Sequence, residues 1–272
     1  MSDRTRLWEY VETWRGACVD FLTLGRTLTD EEAALPTDLP GWDVHACIAH
    51  IAHLESVLAG LPQPEATVPE GLAHVRGPMG AWTEQGVLAR RGRSVAALLE
   101  EIEASVARRY DALEADPPTD PRARPDPGFP GLPWDTETLL RNRPLDVWMH
   151  EQDIRRAVDR PGNLDSAAAR HTIGYLAGSL PVVVGKRVAP PVGTVVALEV
   201  PDVDVDVAGT VVIGEDGRAR ASDAEPDVRI VLSPEAFVLL AGGRRPPERV
   251  EAKLEGDEDL GRRVLAKMAV TP

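Results

Sequence analysis

The sequence predicts an α+β protein in which an N-terminal antiparallel helical bundle, residues 1–188, precedes a smaller α/β domain, residues 189–272. Apolar residues recur every three to four positions through the N-terminal part, and this spacing changes to two after Pro190 and Pro191. The chain of 272 residues is also long for a single hydrophobic core. Two domains of different class are therefore expected.

Composition excludes several classes of protein. The net charge of −14 disfavours general electrostatic binding to nucleic acid or to an anionic membrane. No apolar run reaches the roughly 18 residues of a membrane span, and no charged-then-apolar leader opens the chain. Cys18 and Cys47 both lie in apolar helical surroundings, which is typical of reduced core thiols. We expect a cytoplasmic protein that is a monomer or a homodimer.

Five helical stretches are predicted before the first strand. The third and fourth are separated by a proline-rich segment, residues 115–134, that must be a long connection. The fourth begins near Thr136, the expected N-cap, and contains Pro144 either as a kink or as the start of a second helix. The other four stretches cover residues 4–27, 43–58, 94–114 and 166–184.

Strands follow in the C-terminal part, where apolar residues alternate with polar ones. The sequence EDGR at residues 215–218 is a hairpin-turn signal. Asp204 and Asp206 alternate with valines, and we expect them on the solvated face of a strand because the glycine and terminal glutamate of a calcium-binding loop are missing. The predicted strands cover residues 194–200, 203–213, 227–233 and 249–256.

The segment RPLDVWMHEQDIRR, residues 143–156, carries the strongest functional signal. On a helix, Asp146, His150 and Asp153 share one narrow face with apolar neighbours. Buried acids are costly unless they are paired, hydrogen-bonded or bound to a cation. This face is therefore either a hydrogen-bonded polar cluster or part of a metal site.

A second histidine raises the weight of the metal interpretation. His50 falls inside the apolar stripe of the predicted helix at residues 43–58, whereas His45 projects to the opposite side and His53 to the flank. We expect His45 and His53 to be solvated or peripheral. A lone inward histidine is more often an ordinary core residue, but two helices that each aim a histidine inward favour a three-ligand site of His50, Asp146 and His150. Such a site leaves a position open for water or substrate.

Zinc is the leading candidate metal, and a mixed imidazole and carboxylate site also suits nickel, iron or manganese. Asp153 lies one turn beyond His150. It has two possible partners: it accepts the second ring N–H of His150 and fixes the tautomer, or it pairs with an arginine such as Arg156.

These segments resemble a known family. DLPGWDVHACIAHIAHLES, residues 38–56, resembles the tryptophan-and-histidine helix of DinB-like metal-binding four-helix bundles. RPLDVWMHEQDIRRAV resembles the E-x-x-x-H-x-x-D helix of their actinobacterial branch, the mycothiol-dependent maleylpyruvate isomerase family. The resemblance implies that His50, Asp146 and His150 are the metal ligands, with Asp146 standing where the family usually has glutamate. Residues 227–272 resemble the end of the family's C-terminal domain, which is similar to sterol-carrier protein 2 (SCP2-like).

The resemblance implies a metal-dependent enzyme that uses a low-molecular-weight thiol, mycothiol, on a small electrophilic substrate. Addition of the thiol to a conjugated alkene, rotation and elimination would give cis–trans isomerisation, as in maleylpyruvate. Stopping after addition would give an S-transferase. The alternative is a non-catalytic protein that binds a metal or a small ligand. No catalytic residue beyond the metal ligands is indicated by the sequence.

Overall fold

The computed structural model describes residues 1–201 and 209–271, and it divides into two compact units, Met1–Gly162 and Asn163–Pro272. The first unit is helical and the second is α/β, which confirms the predicted α+β class. The helices of the first unit are α1 (Asp3–Gly25), α2 (Asp30–Ala33), α3 (Val44–Leu58), α4 (Gly77–Leu88), α5 (Val95–Ala115) and α6 (Thr136–Ala157).

Polar side chains define where the long helices begin. Each of α1, α3, α5 and α6 has an N-cap side chain that accepts a hydrogen bond from the backbone N–H three residues further on. For α6 the cap is Asp135, which accepts from Thr138, so the prediction that Thr136 is the cap was wrong by one residue. Asp135 is the cap because its backbone is extended and its carboxylate accepts the hydrogen bond from the free N–H of Thr138. The helix continues through Pro144 to Ala157 without a second start.

The long helices pack as a bundle with mixed directions. Arg6 contacts Glu137 with an Nε–Oε1 distance of 3.0 Å, which joins the first turns of α1 and α6, so these two helices run the same way. Arg108, two turns before the end of α5, donates to the carbonyl of Ala59, the C-cap of α3, at 2.8 Å, and His45 in the first turn of α3 lies 2.8 Å from the carbonyl of Arg93, just before α5. The bundle is therefore parallel in two of its neighbouring pairs, whereas the sequence predicted an antiparallel one. The long connection that carries α4 returns the chain between α3 and α5.

The centre of the bundle is apolar and closely packed. Its fully buried large side chains each stabilise the fold by roughly 1.5–3 kcal/mol relative to an exposed position. They include Leu7, Trp14, Phe21, Ile48, Ile51, Leu98, Ile102 and Trp148. The proline-rich segment has no helix or strand over residues 116–134, as predicted. Its Phe129 packs against Leu54, Leu58 and Leu139 and so ties this connection to the bundle.

The second unit has helices around one sheet with the strand order β3-β2-β1-β4-β5. Strands β1 and β4 are parallel, and the other neighbours are antiparallel. Its elements are α7 (Ala167–Ala177), α8 (Leu180–Val182), a π-helical turn (Val183–Val188), β1 (Val195–Glu199), β2 (Gly209–Ile213), β3 (Ala219–Ala221), β4 (Val228–Val231), α9 (Pro234–Ala241), a 3₁₀ turn (Pro247–Arg249), β5 (Lys253–Gly256) and α10 (Glu258–Leu265).

The predicted strands and the hairpin turn at residues 215–218 are confirmed where the structure describes them. Asp204 and Asp206 lie outside the described residues. The helix predicted over residues 166–184 is divided into α7, α8 and part of the π-helical turn. The division between the two compact units falls between Gly162 and Asn163, and α7, which packs against α9, belongs to the second unit. None of the helices in residues 1–201 and 209–271 combines the length and apolar character needed to cross a membrane.

Candidate metal centre

Three side chains predicted as metal ligands converge between α3 and α6. His50 comes from α3, while Asp146 and His150 come from consecutive turns of α6, and their candidate ligand atoms all lie within 4.8 Å of one another. Nε2 of His50 is 3.5 Å from Oδ2 of Asp146, and Nε2 of His150 is 3.6 Å from Oδ1. These separations are long for hydrogen bonds. They match the spacing of about 3.4 Å between two ligands bound at 2.0–2.2 Å to a tetrahedral ion.

The protonation states also suit a cation. Burial lowers the pKa of His50, and the nearby Asp146 only partly opposes this effect, so the imidazole is neutral at pH 7 and its lone pair is available. Burial on its own would raise the pKa of Asp146, but the charge of Arg143 and the neighbouring His50 hold that pKa well below its usual range. The donor set is therefore two imidazoles and one ionised carboxylate, which fits a divalent ion such as zinc.

A buried ion-pair network lies directly beside these ligands. Arg143 donates from Nη1 to Oδ2 of Asp146 at 2.8 Å and from Nη2 to Oε1 of Glu55 at 2.6 Å. Glu55 is fully buried and also contacts Arg109, with an Nη1–Oε2 distance of 3.5 Å, and the indole N–H of Trp14 at 3.0 Å. Two acids and two arginines thus balance one another, which offsets the cost of burying each charge.

Asp153 contacts both partners that the sequence left open. Its Oδ2 is 3.2 Å from Nδ1 of His150, although the angle falls outside hydrogen-bond geometry. Its Oδ1 accepts from Nη2 of Arg156 at 2.5 Å, and Arg156 also reaches Asp38. Asp153 is fully buried, and the positive charge of Arg156 offsets part of the cost of burying this carboxyl group next to His150.

One wall of the centre is formed by Trp42. Its ring centre lies 5.0 Å from that of His50 and 5.8 Å from that of His150. The indole N–H donates to Oε2 of Glu84 at 2.9 Å, and the same oxygen is 3.2 Å from Nε2 of His74. The α4 helix therefore supplies the acid that holds Trp42 against the two histidines.

The two other histidines of α3 stay away from the centre, but only one of them is peripheral. His45 is half-buried, and its Nε2 is 2.8 Å from the carbonyl of Arg93. The prediction that His53 is solvated or peripheral was wrong, because its residue is only 3% exposed and Nδ1 lies 3.0 Å from Oε1 of Gln63. Helix α4, which the sequence did not predict, covers that flank.

The residues that support the ligands were not predicted from the sequence. Glu55 carried a usable signal, since an acid within a mostly apolar helix needs a buried partner. Arg143 lies one helical turn before Asp146 and was likewise detectable as its ion-pair partner. Glu84 gave no comparable signal, because α4 itself was not predicted.

These features define a class of protein, a helical bundle with a candidate centre for one divalent ion held by two histidines and an aspartate. The family model described as the mycothiol maleylpyruvate isomerase N-terminal domain matches residues 14–155, and the chain belongs to this family. The matched range contains all three residues of the candidate centre.

Two solved structures are similar over nearly the whole chain. A crystal structure of the mycothiol-dependent maleylpyruvate isomerase is 19% identical, with a TM-score of 0.52, and the match covers 91% of this chain and 92% of that one. The structure of a histidine-to-alanine mutant of the mycothiol-dependent maleylpyruvate isomerase is 18% identical, with a TM-score of 0.50 and the same coverage. At this identity the likeness establishes the fold. No match was found among the curated proteins.

Proposed function

We propose that the protein is a metal-dependent enzyme that uses mycothiol for isomerisation or S-transfer on a small electrophilic substrate such as maleylpyruvate. The observation that carries this proposal is the convergence of His50, Asp146 and His150 on one point between α3 and α6. Family membership and the fold of the mycothiol-dependent maleylpyruvate isomerase support the choice of thiol and reaction.

His50 and His150 would hold the metal through their Nε2 atoms, and Asp146 would add one negative charge. A divalent ion with these ligands supplies positive charge that lowers the pKa of a bound thiol and favours its thiolate at neutral pH. Trp42 covers the two imidazole rings and limits the access of water from its side. Asp153 would keep the His150 ring in the orientation that directs Nε2 inward.

The thiol would have to come from a diffusible cofactor. Neither Cys18 nor Cys47 forms a disulfide, and both are buried. Burial raises the pKa of Cys18 well above its usual range, and the nearby acid Glu55 adds to this effect, which makes Cys18 a poor nucleophile. We further propose that zinc is the resident metal and that the protein is located in the reducing cytoplasm. The α/β unit, we propose, is related to sterol-carrier protein 2.

The test begins with metal analysis of protein purified without added zinc, followed by assays of maleylpyruvate and simple electrophiles with and without mycothiol or a surrogate thiol. We expect close to one divalent ion per chain and turnover that requires both metal and thiol. A metal content below about 0.2 per chain with no uptake of added zinc would contradict the three-ligand site, whose preformed geometry should bind zinc tightly.

Two results of the activity assays would contradict the proposed use of a thiol or the proposed catalysis. Turnover that needs the metal and is indifferent to every thiol would point to a metal-activated water and therefore to a hydrolase. Stoichiometric metal without turnover of any electrophile would favour the non-catalytic alternative.

A further inference from the structure

The guanidinium of Arg143 is fixed between two carboxylates. Nε and Nη2 both donate to Oε1 of Glu55, at 3.1 and 2.6 Å, and Nη1 donates to Oδ2 of Asp146 at 2.8 Å. A planar guanidinium with donors on two sides is the side chain that can make both contacts at once. A lysine would bring a single ammonium group to the same place.

Glu55, the second partner of Arg143, is held in the interior of the bundle. Glu55 is fully buried and is held on its other side by Arg109 and Trp14. Arg143 is only 2% exposed. Because both side chains are buried and Glu55 is held by three partners, we expect the Nη1 donor to approach Asp146 from one direction.

The bond from Arg143 makes the two oxygens of Asp146 unequal as metal ligands. Each oxygen faces one candidate imidazole, Oδ2 that of His50 at 3.5 Å and Oδ1 that of His150 at 3.6 Å, but only Oδ2 also carries the charge-assisted bond from Arg143. An arginine next to Oδ2 also repels a cation that approaches this oxygen. Oδ1 is therefore the better donor.

We propose that Arg143, held by Glu55, is a positioning residue of the metal centre, which orients the Asp146 carboxylate so that it binds the ion through Oδ1 alone. This inference rests on the metal site proposed above. It adds two residues to the site that touch neither metal nor substrate, and it assigns the coordination mode of the aspartate.

The test uses Co²⁺ as the probe, because its visible absorption changes with coordination number. In Arg143→Lys, the carboxylate is freed to turn and to offer both oxygens. We expect about tenfold weaker Co²⁺ binding, in the range found when partners of metal ligands are removed, together with altered visible bands. A purely structural role would lower the melting temperature without changing the spectrum of the bound ion.

Arg155→Lys is the matched control. Arg155 also lies on α6 and also pairs with a fully buried acid, since its Nε contacts Oε1 of Glu151 at 2.7 Å, but it contacts none of the three candidate ligands. We expect its Co²⁺ affinity and spectrum to equal those of the parent. A second variant, Glu55→Gln combined with Arg143→Met, removes one acid and one base together. This keeps the buried charges balanced and allows the test if Arg143→Lys does not fold.

A crystal structure of the zinc-loaded parent gives a readout that needs no variant. A bond from the ion to Oδ1 of Asp146 alone is expected, and binding through Oδ2 or through both oxygens would overturn the inference. Parental Co²⁺ affinity and spectrum in both Arg143 variants would overturn it as well, while the metal site itself would stand. If the parent binds neither ion, the metal site and the positioning role fall together.

Discussion

His53 and Gly86 are in direct contact: a Cβ placed on Gly86 would lie 2.1 Å from two carbons of the His53 ring. Real Cβ atoms do not approach other atoms so closely, and the ring is buried against α4, so it has little space to retreat. We expect Gly86→Ala to lower the free energy of unfolding by about 1–3 kcal/mol, the usual cost of overpacking a core. Denaturant unfolding followed by circular dichroism measures the change.

Gly16→Ala is the control for this substitution. Gly16 also lies inside a helix, α1, and nothing comes within 4 Å of a Cβ built on it. Alanine there should stabilise the protein by roughly 0.5–1 kcal/mol through its better helix propensity. Equal effects of the two variants would mean that the His53 ring does not press on α4.

Stability should fall in acid because His53 is buried in its neutral form. Burial lowers its pKa from 6.5 to about 4, although the hydrogen bond that its ring N–H donates to Oε1 of Gln63 opposes this shift. Between these pH values the unfolded chain binds a proton that the folded chain does not, so stability decreases as pH falls from 6.5 to 4 and this contribution is constant below. One pKa unit corresponds to 1.36 kcal/mol, which makes the loss about 3 kcal/mol at most.

Metal-free protein is the sample for this measurement, since bound metal would add its own pH dependence. Thermal or urea unfolding at several pH values should show a shallower acid loss in His53→Gln than in the parent. His45→Gln makes the same replacement at a half-buried histidine of the same helix and is the matched control. Identical profiles for all three proteins would contradict the assignment to His53.

His50→Ala and His150→Ala should each abolish retention of zinc, because each removes one of three converging donors. His45→Ala should retain it, since this side chain lies near Arg93 and away from the group. Metal content after gel filtration distinguishes the three variants. Equal loss from all three would show that the ion is bound elsewhere.

Asp146→Ala should weaken zinc binding by more than about a hundredfold, because a ligand and its negative charge are lost together. This exceeds the roughly 10–100-fold loss that follows when a residue supporting a ligand is replaced. Asp146→Glu should still bind, since the longer side chain keeps the carboxylate and can reach the ion. Competition with a chelator of known affinity measures both. If the alanine variant binds like the parent, Asp153 becomes the candidate for the acidic ligand.

The three candidate ligands could be predicted because helical periodicity fixes which side chains share a face. Given the phase of α3 and α6, His50, Asp146 and His150 had to point inward, and the structure brings them together. The pairing of Arg143 with Asp146 lies within α6 and could have been predicted from their spacing, whereas the contact between Arg143 and Glu55 depends on which helices are neighbours, and periodicity carries no information about that. The packing of Arg143 against Glu55 was therefore visible only in the structure.

Helix α4 could not be predicted from local sequence signals. It contains three glycines and a proline within Gly77–Leu88, and Arg76 provides no side-chain cap. Its propensity for helix is therefore low, and packing against α3 must stabilise it. Helix α4 covers the side of α3 that carries His53. Because α4 was not predicted, His53 was wrongly expected to be solvated or peripheral.

The candidate centre joins helices that are far apart in the chain, since α4, α5 and their connections lie between α3 and α6. Neither helix alone offers more than two of the donors. A metal ion held by all three would act as a reversible cross-link, and because it recognises only the docked pair it would stabilise the folded state as its concentration rises. Metal uptake during refolding would then report the completion of the bundle rather than the formation of either helix.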